Sequence, residues 1–228
     1  MKASVYFIAL LTPACLLLVS CSTVTPSPTA EPIALQYTAA SSPWLASIYD
    51  CAGNKVIIAD LTAADMQDLQ AADLAIRLGQ PDNLTSPAFQ IGSDDLLVIV
   101  NPQNPVKQLT VAQVRGLFDG QIQNWKDAGG ADTPVQAWAF TRTDDIQAIF
   151  NHSVLNDSPV SSVARLASNP DEMIQAVSKD INAIGILNRR LKPSSVSDVF
   201  TVTSMPVLVL TRSNPAQGIF SILSCLQK

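Results

Sequence analysis

The stretch Leu109–Gly130, LTVAQVRGLFDGQIQNWKDAGG, contains a short helix followed by two turns. Thr110 stands just before the predicted helix, where its side-chain oxygen can accept a hydrogen bond from a free backbone N–H. Gly120 is expected to end the helix, and after Asn124-Trp125 a double glycine makes the second turn. The apolar side chains of the helix are Val111, Val114, Leu117 and Phe118.

Short apolar runs that favour β-strands alternate with helical segments from Ile33 onward. Most of these runs are almost continuously apolar, as expected of strands that are covered on both faces. The alternation predicts an α/β fold, and no internal repeat is found. The predicted strands are Ile33–Tyr37, Lys55–Ala59, Leu74–Arg77, Leu96–Val100, Val135–Phe140, Ala183–Leu187, Val199–Val202 and Val207–Leu210.

Two further helix starts are marked by a capping residue followed by proline. Ser42 precedes Pro43, and Asn169 precedes Pro170. Ser and Asn accept hydrogen bonds from the free N–H groups of a first turn, and proline suits the first helical position. We therefore predict that helices begin at Pro43 and Pro170.

The N-terminal segment has the features of a bacterial lipoprotein leader. Val5–Val19 is apolar but too short for a spanning helix, and it leads through Ser20 into Cys21. This pattern predicts a signal peptide at residues 1–20 and lipidation of Cys21; a plain secretory signal with a chance cysteine is the alternative. Residues 21–32 are rich in Ser, Thr and Pro, which predicts a tether.

The charge balance excludes several classes of partner. The chain has 14 Lys and Arg against 19 Asp and Glu, a net charge of -5. An acidic chain with no basic run is a poor ligand for nucleic acid or for an anionic membrane surface. We therefore expect no nucleic-acid partner, and contact with the membrane through the lipid anchor only.

The sequence contains no motif that indicates an enzyme. It lacks a Gly-x-Ser-x-Gly elbow, a paired-His metal motif, a Gly-rich phosphate loop and a CxxC. His152 is the only histidine and lies near a predicted helix end, where a solvated or capping role is expected. We predict a non-enzyme with no cofactor and no bound metal.

Two cysteines remain in the folded part once the leader is removed and Cys21 is lipidated. These are Cys51 and Cys225. Export to an oxidising compartment favours a disulfide between them, and the absence of a neighbouring His or Cys argues against a metal site. Two buried free thiols are the alternative.

Leu109–Gly130 resembles the signature stretch of the phosphate-binding-protein-like family of extracellular solute receptors. The helix, the Asp119-Gly120 turn, Asn124-Trp125 and the double glycine follow in that family's order. Other segments resemble the family as well, and the resemblance runs from about Ile33 to Cys225. These segments are Asp95–Asn101, Asn104–Val106, Glu172–Val177 and Ala183–Leu187.

The resemblance implies a two-lobed type 2 periplasmic-binding-protein fold. In that fold each lobe is a mixed sheet flanked by helices, and the ligand cleft lies between the lobes. Lobe 1 would comprise residues 33–98 and the return segment 203–228, and lobe 2 would comprise residues 99–202. Cys51 and Cys225 would then share lobe 1, which strengthens the disulfide prediction.

Helix starts and arginines supply the first candidate ligand-binding residues. Free N–H groups at a helix start favour an anion, which makes Ser41 and Ser42 candidates, although Ser42 could simply cap its helix. Arg77 follows an apolar strand in a place where the family often has cleft-facing polar residues. A guanidinium there suits a carboxylate, phosphate or sulfate, and an ordinary surface arginine is the alternative.

The loop that opens the helix around Ile146–Phe150 supplies the other candidates. Its position matches the main anion-binding loop of the family, which implies ligand contacts by Thr141, Arg142, Thr143 and Asp144. Phosphate-binding members usually have Ser-Gly-Thr where this chain has Thr143-Asp144-Asp145. Alternatively, Asp144 caps the helix, Asp145 is solvated and Arg142 pairs with one of the two carboxylates.

Together these observations predict a lipid-anchored, monomeric extracytoplasmic protein that captures a small anionic or polar solute for an ABC importer. A phosphate-like oxyanion is the leading choice of solute, and a transporter permease is the expected partner. The alternative is an anchored sensor or protein-interaction module that keeps the two-lobe fold without transport.

Overall fold

The computed structural model describes residues 32–53, 58–62, 72–80 and 84–228. The predicted signal peptide at residues 1–20, the lipidation site Cys21 and the tether up to Glu31 lie outside the described residues. None of the described helices is both long and apolar enough to cross a membrane.

Strands and helices alternate along the described chain, as the sequence predicted. The strands are β1 Ile33–Tyr37, β2 Ile58–Thr62, β3 Leu74–Leu78, β4 Ala88–Val100, β5 Gln136–Ala139, β6 Arg165–Leu166, β7 Ala183–Asn188 and β8 Ser197–Thr211. The α-helices are α1 Leu45–Ala52, α2 Val111–Asp119, α3 Asp145–Leu155, α4 Pro170–Lys179 and α5 Gln217–Leu226. Within the described ranges, three 3₁₀ helices span Ala39–Trp44, Trp125–Ala128 and Arg189–Leu191.

The described strands form one mixed sheet in the order β2-β1-β3-β8-β4-β7-β5-β6. β1 is parallel to β2 and β3, and β5 is parallel to β6 and β7. The central pairs β3–β8, β8–β4 and β4–β7 are antiparallel. The α/β prediction is confirmed, with a parallel group on each side of an antiparallel centre.

β4 and β8 are long central strands, and they connect the parallel group of β1, β2 and β3 with the parallel group of β5, β6 and β7. They contain 13 and 15 residues, and their pairing shifts register at three places along the way. The sequence predicted only apolar pieces of them, because Ser93-Asp94-Asp95 and Thr203-Ser204 interrupt the apolar pattern. The backbone ladder continues through these polar residues, so the pieces predicted at Val199–Val202 and Val207–Leu210 belong to a single strand.

Side-chain caps fix the ends of α2 and α4 as predicted. The Thr110 hydroxyl accepts a hydrogen bond from the backbone N–H of Gln113, and Gly120 follows α2 in the left-handed region at φ 84°. Asn169 Oδ1 accepts from the backbone N–H of Glu172 at 2.9 Å. Each cap supplies an acceptor for an N–H that has no partner inside its own helix.

The predicted helix start at Ser42-Pro43 is wrong. The chain turns earlier, because the backbone N–H of Thr38 donates to the Ser41 hydroxyl at 3.0 Å and the backbone N–H of Ser41 donates to the Thr38 carbonyl at 3.1 Å. These bonds begin the 3₁₀ helix at Ala39, with Pro43 inside it, and α1 begins only at Leu45.

A disulfide joins the first and last α-helices. Cys51 in α1 is bonded to Cys225 in α5, with a Cα–Cα distance of 5.7 Å and a sequence separation of 174. The disulfide prediction is therefore confirmed, and the alternative of two free thiols is wrong.

The described residues from Pro32 to Lys228 belong to one compact unit. The continuous β4–β8 ladder accounts for this, since it ties the two sides of the sheet together along its whole length. The lobe boundaries at 33–98, 99–202 and 203–228 stay a prediction.

Candidate functional site

A cleft of about 460 Å³ lies where three elements meet. One wall is the end of β3 with the turn after it, residues 77–80, and the opposite wall is the cleft-facing side of α3. Thr203–Pro206, in the middle of β8, line the cleft between these walls. Polar side chains thus converge at the place where the apolar pattern of the central strands is interrupted.

An ion pair joins the two walls of the cleft. Arg77 Nη2 lies 3.4 Å from Asp145 Oδ1, and the side chain of Asp145 is only 3% exposed. Arg77 is the second-last residue of β3, two positions before Gly79, and Asp145 is the first residue of α3. Arg77 therefore lines the cleft with a buried carboxylate as its partner, and its role as a ligand residue stays a prediction.

Gly79 allows the two walls to approach closely. Its φ is +77°, and a Cβ built on it would lie 2.6 Å from Ile149 Cδ1 of α3. Its backbone N–H donates to the Pro206 carbonyl at 2.8 Å. A side chain at this position would be strained by the positive φ and would require the side chain of Ile149 to move.

Arg142 is exposed and faces the cleft from the turn before α3. Its guanidinium makes no hydrogen bond or ion pair with any residue in the described part of the chain. The alternative in which Arg142 pairs with Asp144 or Asp145 is not what the structure shows, since Asp145 pairs with Arg77. An unsatisfied guanidinium in a cleft is suited to bind an anionic group through two N–H donors.

Asp144 caps α3. Its Oδ1 accepts from the backbone N–H groups of Ile146 at 2.9 Å and Gln147 at 3.3 Å. Burial raises the pKa of the Asp144 carboxyl above its ordinary value, and the two backbone hydrogen bonds partly offset this rise. The Asp144 carboxylate therefore caps α3, and it does not line the cleft.

The other predicted ligand residues lie apart from Arg77 and Arg142. Ser41 is fully buried and bonds to Thr38, and the Ser42 hydroxyl donates to the Ala39 carbonyl at 2.8 Å. Neither serine lines the cleft, nor does Thr143. Their role as ligand residues stays a prediction, and the structure brings together only Arg77 and Arg142 of the predicted set in this cleft.

A second cavity, of about 380 Å³, lies beside the cleft, and we call it the side recess. Arg142, Asn151 and Asp157 line both spaces. Thr141 lines the side recess, as do the apolar residues Ala139, Phe140, Pro159, Val160, Ala164 and Leu166. The predicted residue Thr141 is thus placed next to Arg142, on the recess side.

Sequence reasoning missed several polar residues of the site. Asn151 and His152 lie about two turns after the start of α3. They are three and four positions after Ala148, which also lines the cleft, and this helical spacing could have placed all three on one face of the helix. His152 Nδ1 lies 3.4 Å from Asp157 Oδ2, and both side chains are largely exposed. Thr203 and Ser204 were missed because they lie inside a strand that the sequence divided in two.

The charges that face the cleft are nearly balanced. Arg77 and Arg142 contribute two positive charges, and Asp145 and Asp157 contribute two negative ones. Because Asp145 lies against Arg77, the charges that remain open to a solute are those of Arg142 and Asp157. In the part of the chain that is described, no group of His, Cys, Asp and Glu is arranged to hold a metal ion.

Comparison with known proteins agrees with this architecture. A model of the PBP superfamily domain matches residues 84–218, more than half of the chain. A crystal structure assigned as a phosphate ABC transporter substrate-binding protein of Clostridium perfringens, with bound phosphate, superposes with a TM-score of 0.77 at 18% identity. That match covers 86% of this chain and 93% of the other.

Two further solved structures share the fold. An ABC-type phosphate transport receptor of Vibrio cholerae gives a TM-score of 0.67 at 22% identity, over 86% of this chain and 93% of the other. The regulatory domain of HypT from Salmonella typhimurium gives 0.59 at 10% identity, over 89% and 96%. The predicted fold class is confirmed, and the chain belongs to the PBP superfamily, with the two-lobed type 2 fold of its structural relatives.

Proposed function

We propose that this chain is a lipid-anchored extracytoplasmic binding protein that captures a small anionic or polar solute for an ABC importer. Arg142 carries the proposal, because its exposed guanidinium faces a cleft and has no partner among the described residues. Such a group gains charge-assisted hydrogen bonds when an anion enters. The solute-binding proteins that share the fold support the same role.

A phosphate-like oxyanion is the leading choice of solute. The relative from Clostridium perfringens holds phosphate, and Arg77 and Arg142 supply guanidinium groups on two sides of the cleft here. The Asp145 carboxylate next to Arg77 can accept the proton of a hydrogen phosphate, and it disfavours a fully deprotonated anion. The proposed role is binding without a chemical step, so the protein is not an enzyme.

Calorimetric titration of the purified protein tests this function. Phosphate, sulfate, molybdate and simple carboxylates should be compared at equal ionic strength, because salt screens weak anion binding. We expect one of these solutes to give a measurable heat of binding. The same solute should raise the melting temperature, by more the tighter it binds. If no anion or polar solute changes either quantity, the solute-binding role is wrong and the sensor or protein-interaction alternative is favoured.

Lipid anchoring is a separate part of the proposal, which rests on Leu18-Val19-Ser20-Cys21. An acylated Cys21 would carry more than one acyl chain, and two chains anchor a protein stably where a single chain binds the membrane only transiently. Labelling cells with a fatty-acid analogue should mark the wild-type protein, whereas Cys21→Ser should be unmarked and released on cell fractionation. An unlabelled wild-type protein would contradict the anchor and leave the binding proposal intact.

The partners follow from the same role. We propose a transporter permease as the protein partner and a monomer as the working form. Sedimentation of the solute-free and solute-loaded protein checks the monomer, and solute uptake by cells that lack this protein checks the link to transport.

A further inference from the structure

The side recess adjoins the cleft at a boundary that carries hydrogen-bond donors. Arg142 and Asn151 line both spaces, so a group placed between them is within reach of both cavities. Arg142 is exposed and makes no hydrogen bond with the described residues. The boundary thus combines a free guanidinium with the Asn151 amide.

A chain of hydrogen bonds fixes the orientation of the Asn151 side-chain amide. The backbone N–H of Phe140 donates to Gln147 Oε1 at 2.8 Å, and Gln147 Nε2 donates to Asn151 Oδ1 at 2.8 Å. A backbone N–H can only donate, so this bond sets the orientation of the Gln147 amide and, through it, that of Asn151. Asn151 Nδ2 is left as a donor, with no acceptor among the described residues.

Part of the wall of the side recess behind this boundary is apolar, and the polar residues Thr141, Gln147, Ser161 and Ser162 also line the recess. Phe140 is buried, Val160 and Ala164 are half-buried, and Leu166 is 62% exposed. An inorganic oxyanion would satisfy Arg142 and Asn151 and leave this apolar wall in water. A solute that also has an apolar part would remove the wall from water and gain affinity from doing so.

We propose that the solute is an organic anion. Its carboxylate or phosphate-monoester head group binds Arg142 and Asn151 at the boundary, and its apolar body occupies the side recess. This inference rests on the proposed solute-binding function and names the class of solute. Of the two head groups a carboxylate fits better, because it carries a single charge and the Asp157 carboxylate, which lines the same boundary, repels added negative charge.

Pairs of anions that differ only in an apolar group test the proposal by calorimetry. We expect phenyl phosphate to bind about tenfold or more tightly than inorganic phosphate, and benzoate about tenfold or more tightly than acetate, since burial of a ring removes a large apolar area from water. Tight binding of inorganic phosphate with no gain from the phenyl group would overturn this inference and leave the proposed function standing. Failure of all four anions to bind would overturn this inference, and the proposed function would fall only if sulfate, molybdate and polar solutes failed to bind as well.

Variants of the side recess locate the apolar body. Ala164→Leu narrows the recess and should reduce the preference for phenyl phosphate while leaving the affinity for inorganic phosphate unchanged. Val163→Leu is the matched control, because Val163 is 73% exposed and does not line the recess. If both variants keep the full preference, the apolar body does not lie in the recess and the proposal is wrong.

Asn151→Asp tests the donor at the boundary. The new carboxylate still accepts from Gln147 Nε2 but has no N–H to offer, so the affinity for every anion of the series should fall by about tenfold or more. Asn156→Asp adds the same charge nearby, on a residue that lines neither space, and should have a much smaller effect. Equal losses in the two variants would assign the effect to charge alone and remove Asn151 from the site.

Discussion

The guanidinium of Arg77 lies 3.4 Å from the buried carboxylate of Asp145, and this pair connects the end of β3 to the start of α3 across the cleft. Asp145 accounts for the charge of Arg77, so the two positive charges in the cleft are not equivalent. Arg77 is held in place by the protein, whereas Arg142 is open to solvent and to a solute. The pair also brings together two residues that are 68 positions apart in sequence, since 145 minus 77 is 68.

Loss of the Arg77 charge should destabilise the protein through Asp145. Arg77→Met removes the positive charge that lies against a buried carboxylate, and we expect a loss of about 2 to 4 kcal/mol in the free energy of unfolding, in line with the breaking of other buried pairs. Adding Asp145→Asn to that variant should recover part of the loss, because a neutral amide needs no counter-charge. Urea denaturation of the two single variants and the double variant measures the coupling. Strictly additive losses would contradict the pairing.

Arg142→Ala should weaken solute binding with little effect on stability. The side chain is exposed and bonds to no described residue, so its removal leaves no buried group unsatisfied. We expect a loss of affinity of about tenfold or more for anions, because charge-assisted hydrogen bonds are lost, and a change in unfolding free energy within about 0.5 kcal/mol. Titration calorimetry and thermal denaturation supply the two measurements.

The control for this variant is Arg165→Ala. Arg165 is an exposed arginine in the same part of the chain and lies over the ring of Trp138, but it lines neither the cleft nor the side recess. The Arg165→Ala variant removes the same charge and should leave the affinity for anions nearly unchanged. If both variants lose affinity equally, the effect of Arg142 is one of overall charge and not of contact.

Features set by neighbouring residues were predictable from the sequence. The start and end of α2 depend on Thr110 and Gly120, and β1 depends on one apolar run, so each was found by local pattern. The start of the first helical segment was wrong because it depends on hydrogen bonds between Thr38 and Ser41, which compete with the Ser42-Pro43 signal.

Features set by distant residues were not predictable in the same way. The sequence marked Arg77 and Arg142 as candidates, but the choice of Asp145 as the partner of Arg77 depends on how β3 packs against α3. Helical spacing could have placed Asn151 on the cleft side of α3, but the orientation of its amide depends on a hydrogen bond from Phe140 through Gln147, which the sequence does not indicate. The disulfide was predictable only because two cysteines remained and left a single pairing.

Asp144 should make the stability of the protein depend on pH just above the ordinary pKa of its carboxyl, 3.8. Burial raises the pKa in the folded state, so the folded protein keeps this proton at a pH where the unfolded chain has released it. The contribution of Asp144 to stability is therefore complete below pH 3.8 and is lost as the pH rises through the folded-state pKa.

Replacing Asp144 with asparagine and with alanine separates this titration from helix capping. Asp144→Asn keeps an acceptor for the N–H groups of Ile146 and Gln147, so at neutral pH it should be at least as stable as wild type, and its stability relative to wild type should increase as the pH rises across that window. Asp144→Ala should cost about 1 kcal/mol at neutral pH because the cap is lost. Denaturation between acidic and neutral pH checks both, and a parallel pH profile for wild type and Asp144→Asn would show that this carboxyl does not titrate in the window.

Breaking the Cys51–Cys225 bond should destabilise the fold more than any of the surface changes above. The bond closes a loop of 174 positions between α1 and α5, and in the chain-entropy model so long a loop contributes about 3 to 5 kcal/mol by limiting the unfolded chain. A Cys51→Ser, Cys225→Ser double variant should unfold at a lower temperature than wild type and should no longer respond to a reductant. The single variants should match the double variant within about 1 kcal/mol, since removal of either sulfur abolishes the same bond. An equal melting temperature for wild type and the double variant under oxidising conditions would mean that α1 and α5 are held together by packing alone.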